Sequence, residues 1–179
     1  MNDDLGTIQR ILGGEVDAFC LLVERYQGPL FCMLGNLVRN VNDRDDLAQE
    51  TFLAAYLHLG SYNSREGKFS TWLFRIARNK CLNRLKKQQP LTMQALPPVV
   101  DLREPRDSLI EAEFFAQLDQ ALDGLPFEQK IAFVLAEIQE LSHEEISQIE
   151  RVPLGTVKSR ISRAKDKLRS LLQSAPEQC

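Results

Sequence analysis

The sequence has 179 residues, of which 44% are hydrophobic and 26% are charged, a composition that can form packed cores and excludes wholesale disorder. No apolar run approaches the roughly 18 residues of a membrane helix, and the N-terminus has no apolar signal segment, so we expect a cytoplasmic protein without membrane insertion. The formal net charge is −3, yet residues 68–87 and 151–169 hold seven basic residues each, which indicates two cationic segments on an acidic remainder.

Helical periodicity runs through most of the chain. Glycine and proline are scarce inside the periodic stretches, and no run alternates as a strand does, so the predicted fold class is all-α. In chain order the predicted helices cover residues 4–12, 15–38, 43–59, 70–87, 109–122, 127–139, 143–150 and 153–172. The second of them can bend at Gly28 and Pro29.

The segment between residues 88 and 107 interrupts this pattern. It contains four prolines, which exclude a continuous helix and predict an extended linker. We therefore expect two small helical domains, residues 1–88 and 108–179, joined by a proline-containing linker at residues 89–107. Each domain is large enough for a modest core of its own.

The four cysteines lie far apart, without the spacing of metal ligands. Cys20, Cys32 and Cys81 sit among apolar residues, and we expect all three to be buried. Cys179, the last residue, is expected to be exposed and free. No metal or other cofactor is predicted, and no catalytic residue.

The second basic segment has the pattern of a helix-turn-helix motif. Ser142 and Glu145 have the spacing of a capping box at the start of a short helix, and Pro153 can begin a new helix but cannot continue the old one. Apolar residues then recur at three- and four-residue steps and form one stripe: Val157, Ile161, Ala164, Leu168 and Leu172. In this motif the second helix enters the major groove of duplex DNA.

The predicted second helix carries polar side chains away from its apolar stripe. Its front would present Lys158, Ser159, Ser162 and Arg163 to base edges. Arg160 and Lys167, with Arg151 and Lys165, are better placed for phosphates. The alternative is an ordinary surface helix that carries Lys and Arg.

The first basic segment differs because aromatic residues accompany its cations. Phe69 and Trp72 lie close to Lys68, and Tyr62 precedes them in the same loop region. Aromatic rings stack on unpaired bases while cations follow the backbone, so this segment favours single strands or opened duplex. Helical spacing gives it a polar face with Arg75, Asn79, Asn83 and Lys87. The alternative is that Phe69 and Trp72 are core residues.

An acidic face is predicted on the helix that precedes this segment. Asp45 with Gln49 and Asp46 with Glu50 form neighbouring four-residue pairs. Acids early in a helix complement its dipole, which explains the two aspartates. Gln49 and Glu50 lie a turn further on, and a protein partner with a basic docking surface is the second explanation.

Together these residues resemble the bacterial RNA polymerase sigma factors of the short, two-domain extracytoplasmic-function (ECF) group. The resemblance rests on four stretches in the order of the family's motifs: "DDLAQETFLAAY", "FSTWLFRIARNKCLNRLK", "LPFEQKIAFVLAEIQELSHEEIS" and "PLGTVKSRISRAKDKL". The resemblance implies a protein without a catalytic site that binds core RNA polymerase, directs it to promoters and assists their opening. It also implies an inhibitory anti-sigma factor as a further partner.

The resemblance also implies roles for individual residues. The surface that meets the polymerase clamp would include Asp45, Asp46, Gln49, Glu50 and Phe52. The reader of the melted −10 element would comprise the loop of residues 61–70 and the helix of residues 71–87, with Lys68, Phe69, Trp72, Arg75, Arg78, Asn79, Asn83, Arg84 and Lys87. The reader of the duplex −35 element would use Lys158, Ser159, Arg160, Ser162, Arg163 and Lys167.

Two other functions remain open from the sequence. A stand-alone helix-turn-helix regulator would bind duplex DNA tightly without polymerase, usually at two-fold half-sites. A nucleic-acid enzyme would need a carboxylate, metal or nucleophile cluster, and His58 and His143 have no evident partners for one.

Overall fold

The computed structural model describes residues 4–88 and 117–173, and within these ranges the protein is helical, without strands. The helices are α1 (Asp4–Leu12), α2 (Phe19–Leu37), α3 (Val41–Leu57), α4 (Phe69–Gln88), α5 (117–123), α6 (Phe127–Phe133), α7 (His143–Glu150) and α8 (Leu154–Gln173). Short 3₁₀ turns at Val16–Ala18 and Leu59–Ser61 flank α2 and α3, and a π-helical turn at Val134–Ile138 continues α6. The all-α prediction is confirmed.

The helix boundaries follow local chemistry. The side chain of Asn40 accepts hydrogen bonds from the amides of Asn42 (2.9 Å) and Asp43 (3.3 Å), so α3 begins two residues before the predicted start. Pro29 lies inside α2, which continues through it to Leu37. The predicted linker and the start of the predicted helix at residue 109 lie outside the described residues. No helix of the described ranges is long and apolar enough to cross a membrane.

The largest core is shared by the N-terminal half (residues 4–88) and the C-terminal half (residues 117–173). Leu30, Leu34 and Phe74 of the first half belong to the same buried cluster as Ile131 and Leu135 of the second. Ile146 and Ile149 of α7, with Val157 and Ile161 of α8, complete its C-terminal side. The sequence predicted a core for each half, but not this common one, because periodicity shows which face of a helix is apolar and not what covers it.

Two smaller clusters belong to one half each. In the N-terminal half Leu22, Tyr26, Ala55, Phe69 and Leu73 are among the buried members. In the C-terminal half Ala121, Leu122, Leu125, Ala164 and Leu168 pack together. These clusters hold each half together beside the shared core.

The prediction for the cysteines is correct for Cys81, which is buried, and wrong for Cys20 and Cys32, which are exposed. Cys32 lies two residues after the fully buried Leu30, about 200° around the helix, so it points away from the core. Burial raises the pKa of the Cys81 thiol to about 12, which keeps it protonated and unreactive. Cys179 lies outside the described residues.

Candidate nucleic-acid interface

The helix-turn-helix begins at the capping box that the sequence predicted. The Ser142 hydroxyl accepts a hydrogen bond from the amide of Glu145 (3.2 Å), and a Glu145 carboxylate oxygen accepts one from the amide of Ser142 (3.0 Å). Arg151 ends α7 in the left-handed conformation, and the Ser147 hydroxyl donates to the carbonyl of Val152 (2.6 Å). These bonds fix the turn from which α8 departs.

The apolar stripe of α8 faces inward, as predicted. Val157, Ile161, Ala164 and Leu168 are buried, and Leu172 is partly buried against the C-terminal cluster. Because one face of α8 supplies all of these contacts, most of its remaining circumference is left to solvent.

The predicted −35 residues divide by exposure. Lys158, Ser162, Arg163 and Lys167 are exposed, and within the described part of the chain none of the three cations forms an ion pair. Ser159 is half-buried, and its hydroxyl donates to the carbonyl of Thr156 (2.9 Å). The front of α8 is thus a cationic surface open to a ligand.

Arg160 is the member of this set that faces inward. It donates a hydrogen bond to the carboxylate of Glu150, whose side chain is 0% exposed. Burial raises the pKa of Glu150 above its ordinary value, against the opposing attraction of Arg160 and Arg78. Arg160 therefore compensates a buried carboxylate in α7, and its role includes holding α8 against α7.

The loop before α4 is built on three aromatic rings. The rings of Phe69 and Trp72 lie 5.7 Å apart, and that of Tyr62 lies 5.7 Å from each. The Tyr62 hydroxyl donates to the carbonyl of Gly67 (3.0 Å) and closes the loop. Phe69 is only 1% exposed, so it supports the loop as a core residue and does not offer its ring to a base, whereas Trp72 is half-buried.

A pocket opens beside these rings. Tyr62, Trp72, Lys68 and Arg75 are among its lining residues, and so is Gln148 of α7. Arg75 is half-buried and forms no ion pair with any described residue. The pocket has a volume of about 30 Å³, far less than a base requires, so its two rings and two cations supply chemistry suited to an unpaired base and its phosphate without forming a ready-made cavity for one.

The remaining predicted −10 residues lie along α4 in two groups. Asn79, Asn83 and Lys87 are exposed, as their spacing predicted. Arg84 instead donates hydrogen bonds to Asp43 and to Glu50 (3.2 Å to Glu50). Its guanidinium binds α4 to α3, which the sequence could not show because the partners lie 41 and 34 residues away.

Arg78 occupies a third kind of environment. It is half-buried and donates to the side-chain oxygen of Asn79 (3.1 Å), while its Nε is buried and has no hydrogen-bond partner among the described residues. Its charge opposes the rise that burial produces in the pKa of Glu150. Arg78 therefore interacts electrostatically with a carboxylate of the C-terminal half.

The predicted polymerase-binding residues lie along α3. Asp45, Asp46, Gln49 and Glu50 are exposed. Phe52 is half-buried and packs against both clusters that involve the N-terminal half, so it is a supporting residue. Glu50 also accepts from Lys80 (3.2 Å), a contact that the sequence did not indicate.

Leu53 and Leu57 extend this surface and were missed in the sequence. They are 58% and 67% exposed and lie four residues apart, so they share one outer face of α3. An exposed apolar pair next to acidic side chains is typical of a protein-docking surface. Their four-residue spacing shows in the sequence that they share one face of α3. The sequence does not show which apolar faces of α3 are covered by other helices and which stay exposed.

No group of side chains in the described ranges could hold a metal ion.

Comparison with known proteins agrees with this geometry. Residues 22–90 match the family described as Sigma-70 region 2, and residues 115–168 match the one described as Sigma-70, region 4. The chain is 34% identical over 179 aligned residues to the ECF RNA polymerase sigma factor SigW of Bacillus subtilis, with 93% of this chain and 95% of the relative covered. The chain belongs to the ECF RNA polymerase sigma factors.

Other members of the family are similarly close. The ECF RNA polymerase sigma-E factor of Haemophilus influenzae is 33% identical, with 95% of both chains covered. Among solved structures, CnrH in complex with the cytosolic domain of CnrY superposes with a TM-score of 0.72 at 25% identity, covering 95% of this chain and 97% of that one. RpoE of Bartonella quintana shares the fold, with a TM-score of 0.71 at 22% identity and coverage of 88% and 98%.

Proposed function

We propose that this ECF sigma factor binds core RNA polymerase, reads the −35 element as duplex through α8, and holds the melted −10 strand with the loop before α4 and with α4 itself. The observation that carries the proposal is the combination of two different nucleic-acid surfaces on one chain. One is the front of a helix-turn-helix, and the other is a pocket with aromatic walls. Residues 1–88 and 108–179 serve as the two functional units, with residues 89–107 as the linker.

The exposed residues of α8 fit duplex recognition. Lys158 and Arg163 lie near the front of the helix with their charges unpaired among the described residues, where a bidentate contact with guanine is worth about 1–3 kcal/mol of discrimination. Lys167 lies further along and suits phosphate contacts, which add affinity without sequence choice. Arg160 acts mainly through Glu150.

The pocket residues fit an unpaired strand. Trp72 can stack on a base, and Lys68 and Arg75 can contact the phosphates on either side. Phe69 and Tyr62 hold Trp72 in place. Asn79, Asn83 and Lys87 continue the polar track along α4.

The outer face of α3 fits the polymerase. Asp45, Asp46 and Gln49 supply a polar and acidic rim, and Leu53 with Leu57 supplies an apolar centre. Interfaces of this kind place apolar side chains at the middle and charges around them. The acidic side chains also repel DNA phosphates, so this face of α3 does not compete with the two DNA-binding surfaces for DNA.

The same proposal covers the remaining aspects of function. The protein acts in the cytoplasm as an initiation factor and not as an enzyme, and an anti-sigma factor is its natural inhibitor. These statements rest on membership of the family.

The test is transcription in a purified system of bacterial core polymerase and genomic DNA fragments, with and without this protein. Defined start sites that appear only with the protein are expected, and their aligned upstream sequences should contain two common elements. The Leu53→Ala/Leu57→Ala variant should lose these starts through weaker polymerase binding, while Leu171→Ala, another exposed leucine, should not. Absence of new starts, with tight duplex binding by the protein alone, would favour a stand-alone regulator.

A further inference from the structure

Helix α1 begins with a carboxylate that is buried against α2. Asp4 is only 8% exposed, accepts a hydrogen bond from the Tyr26 hydroxyl at 2.6 Å and forms an ion pair with Arg25. The helix dipole favours an acidic residue in the first turn of a helix, but that effect requires neither burial nor a side-chain partner. The two partners lie 21 and 22 residues further along the chain. Asp4 therefore joins α1 to α2.

Tyr26 connects this carboxylate with the aromatic loop. It is 7% exposed, and its ring lies 5.4 Å from that of Phe69, which in turn lies 5.7 Å from the ring of Trp72. Burial raises the pKa of Tyr26, and the hydrogen bond to Asp4 and its negative charge raise it further. Burial and then the same charge raise the pKa of Tyr62 in the loop. The carboxylate is thus within electrostatic reach of the loop, and a continuous row of contacts runs from it through Tyr26 and Phe69 to Trp72.

The hydroxyl of Tyr26 is the point at which this row is held. Aromatic pairs tolerate a range of angles and separations, so ring contacts alone do not fix one orientation. A hydrogen bond to a charged acceptor is shorter and roughly twice as strong as one between neutral groups. Because Tyr26 and Phe69 are both buried in a packed cluster, a displaced Tyr26 ring is accommodated only if Phe69 moves as well. The hydrogen bond to Asp4 therefore fixes the end of the row opposite Trp72.

We propose that Asp4 is a positioning residue for the melted strand. By holding the Tyr26 hydroxyl, its carboxylate keeps the rings of Phe69 and Trp72 in the arrangement in which Trp72 stacks on an unpaired base. Asp4 precedes residues 22–90, the stretch that matches Sigma-70 region 2, so this role comes from a helix outside that match. The inference rests on the proposed function, because it takes Trp72 as a strand contact. Asp4 acts through Trp72 and not on the strand itself, so its loss should lower strand opening and leave occupancy of the duplex unchanged.

Fluorescence of the free, full-length protein tests the positioning directly. Trp72 is the single tryptophan of the chain, so the emission reports on this ring alone. Tyr26→Phe keeps the ring and removes the hydroxyl that Asp4 holds. It should raise the constant for acrylamide quenching of Trp72 about twofold, because a loosened ring spends more time exposed. Arg10→Ala is the matched control, because it removes another ion pair of α1, with Glu15 at 2.9 Å, and should leave the quenching unchanged.

The effect on function is measured on one promoter with reconstituted core polymerase. DNase I footprinting gives the occupancy, and permanganate reactivity gives the opened fraction of the bound complexes. Tyr26→Phe should lower the opened fraction roughly two- to tenfold, the range expected for one hydrogen bond, with occupancy unchanged. Asp4→Ala should lower it at least as far, and Tyr26→Phe should have no further effect in the Asp4→Ala background, because its acceptor is already absent. If Asp4→Ala does not fold, the Tyr26→Phe result decides alone.

A stability control separates positioning from general loosening. Ile11→Val removes one methyl group from a buried residue of α1 that belongs to the same cluster as Tyr26 and Phe69, and it should cost a similar amount of stability in urea unfolding. It should nevertheless leave both the quenching and the opened fraction at their wild-type values. Equal changes in Ile11→Val and Tyr26→Phe would overturn the inference, and so would an unchanged opened fraction in Tyr26→Phe.

A variant of the pocket distinguishes failure of this inference from failure of the proposed function. Arg75→Ala removes a cation that lines the pocket. If Arg75→Ala lowers the opened fraction and Tyr26→Phe does not, positioning by Asp4 is wrong and the proposed function stands. If neither variant lowers it, or if the wild type opens no promoter, the proposed function fails and this inference fails with it.

Discussion

Helices α4 and α8 each have 20 residues and a surplus of basic side chains, yet the fold uses these charges differently. On α8 the cations at the front face solvent, and its other cations, Arg160, Lys165 and Arg169, pair with Glu150, Glu137 and Asp166. On α4, Arg84 is bonded to Asp43 and Glu50 and Lys80 to Glu50, and just before the helix Lys68 is bonded to Glu145. Equal charge in the sequence therefore does not mean equal availability to DNA.

The difference follows from how much of each helix is covered and not from the number of its neighbours. Helix α8 packs through one apolar stripe against α5, α6 and α7. Helix α4 is contacted by α2, α3 and α7, so many of its polar side chains meet another helix before they meet solvent. A surface with exposed cations can bind duplex phosphates directly, whereas one with paired cations must first exchange its partners.

Replacing Trp72 by alanine should produce the largest change. Its ring packs against Tyr62 and Phe69, so the loss should lower the free energy of unfolding by about 2–3 kcal/mol, somewhat below the cost for a fully buried tryptophan. Urea unfolding of the full chain measures this. Trp72→Phe should recover most of the loss, and a Trp72→Ala variant as stable as the wild type would show that the ring does not support the loop.

Replacing Arg163 by alanine should affect promoter use and not folding. Loss of a base contact by this exposed side chain should weaken promoter binding by about 1–3 kcal/mol. Transcription from a single promoter should fall by the corresponding factor, roughly 5- to 150-fold. Stability should change by less than about 0.5 kcal/mol. Arg169→Ala is the matched control, because Arg169 lies on the same helix and pairs with Asp166 (3.2 Å). A loss of polymerase binding by Arg163→Ala would contradict its assignment to DNA.

Replacing Arg84 by alanine should show the opposite pattern. Its guanidinium donates to the part-buried Asp43 and to Glu50, so the free energy of unfolding should fall by about 1–2 kcal/mol. The exposed Lys87, on the same helix, should tolerate alanine within about 0.5 kcal/mol. Thermal melting of the two variants side by side decides whether Arg84 is a structural cation. Equal melting temperatures would contradict the assignment.

The smallest expected effect is a pH dependence at Glu145. Because its pKa is lowered in the folded protein, its contribution to stability is complete above the ordinary value of 4.5 and is lost as the pH falls through the folded value. Glu145→Gln should therefore be less stable than the wild type by under about 1 kcal/mol at pH 7. The two should converge in acid unfolding series below pH 4.5, and a constant difference across the series would contradict the coupling to Lys68.

The sequence predicted local features well and long-range partners poorly. The capping box at Ser142, the stripe from Val157 to Leu168 and the burial of Cys81 follow from spacing within one helix, and the structure confirms them. The exposure of Cys20 and Cys32 and the pairing of Arg84 depend on which helices pack together. The shared core also depends on contacts between residues far apart in the chain, which periodicity cannot identify.

DNase I footprinting together with permanganate reactivity of one promoter bound by the reconstituted polymerase tests the central claim, because the footprint measures promoter occupancy and permanganate measures strand opening. Arg163→Ala should lower occupancy and leave the opened fraction of the bound complexes unchanged. Arg75→Ala, in the aromatic pocket of the N-terminal half, should leave occupancy nearly unchanged and lower the opened fraction. If both variants lower occupancy and opening in the same proportion, the division between a duplex reader and a strand reader is contradicted.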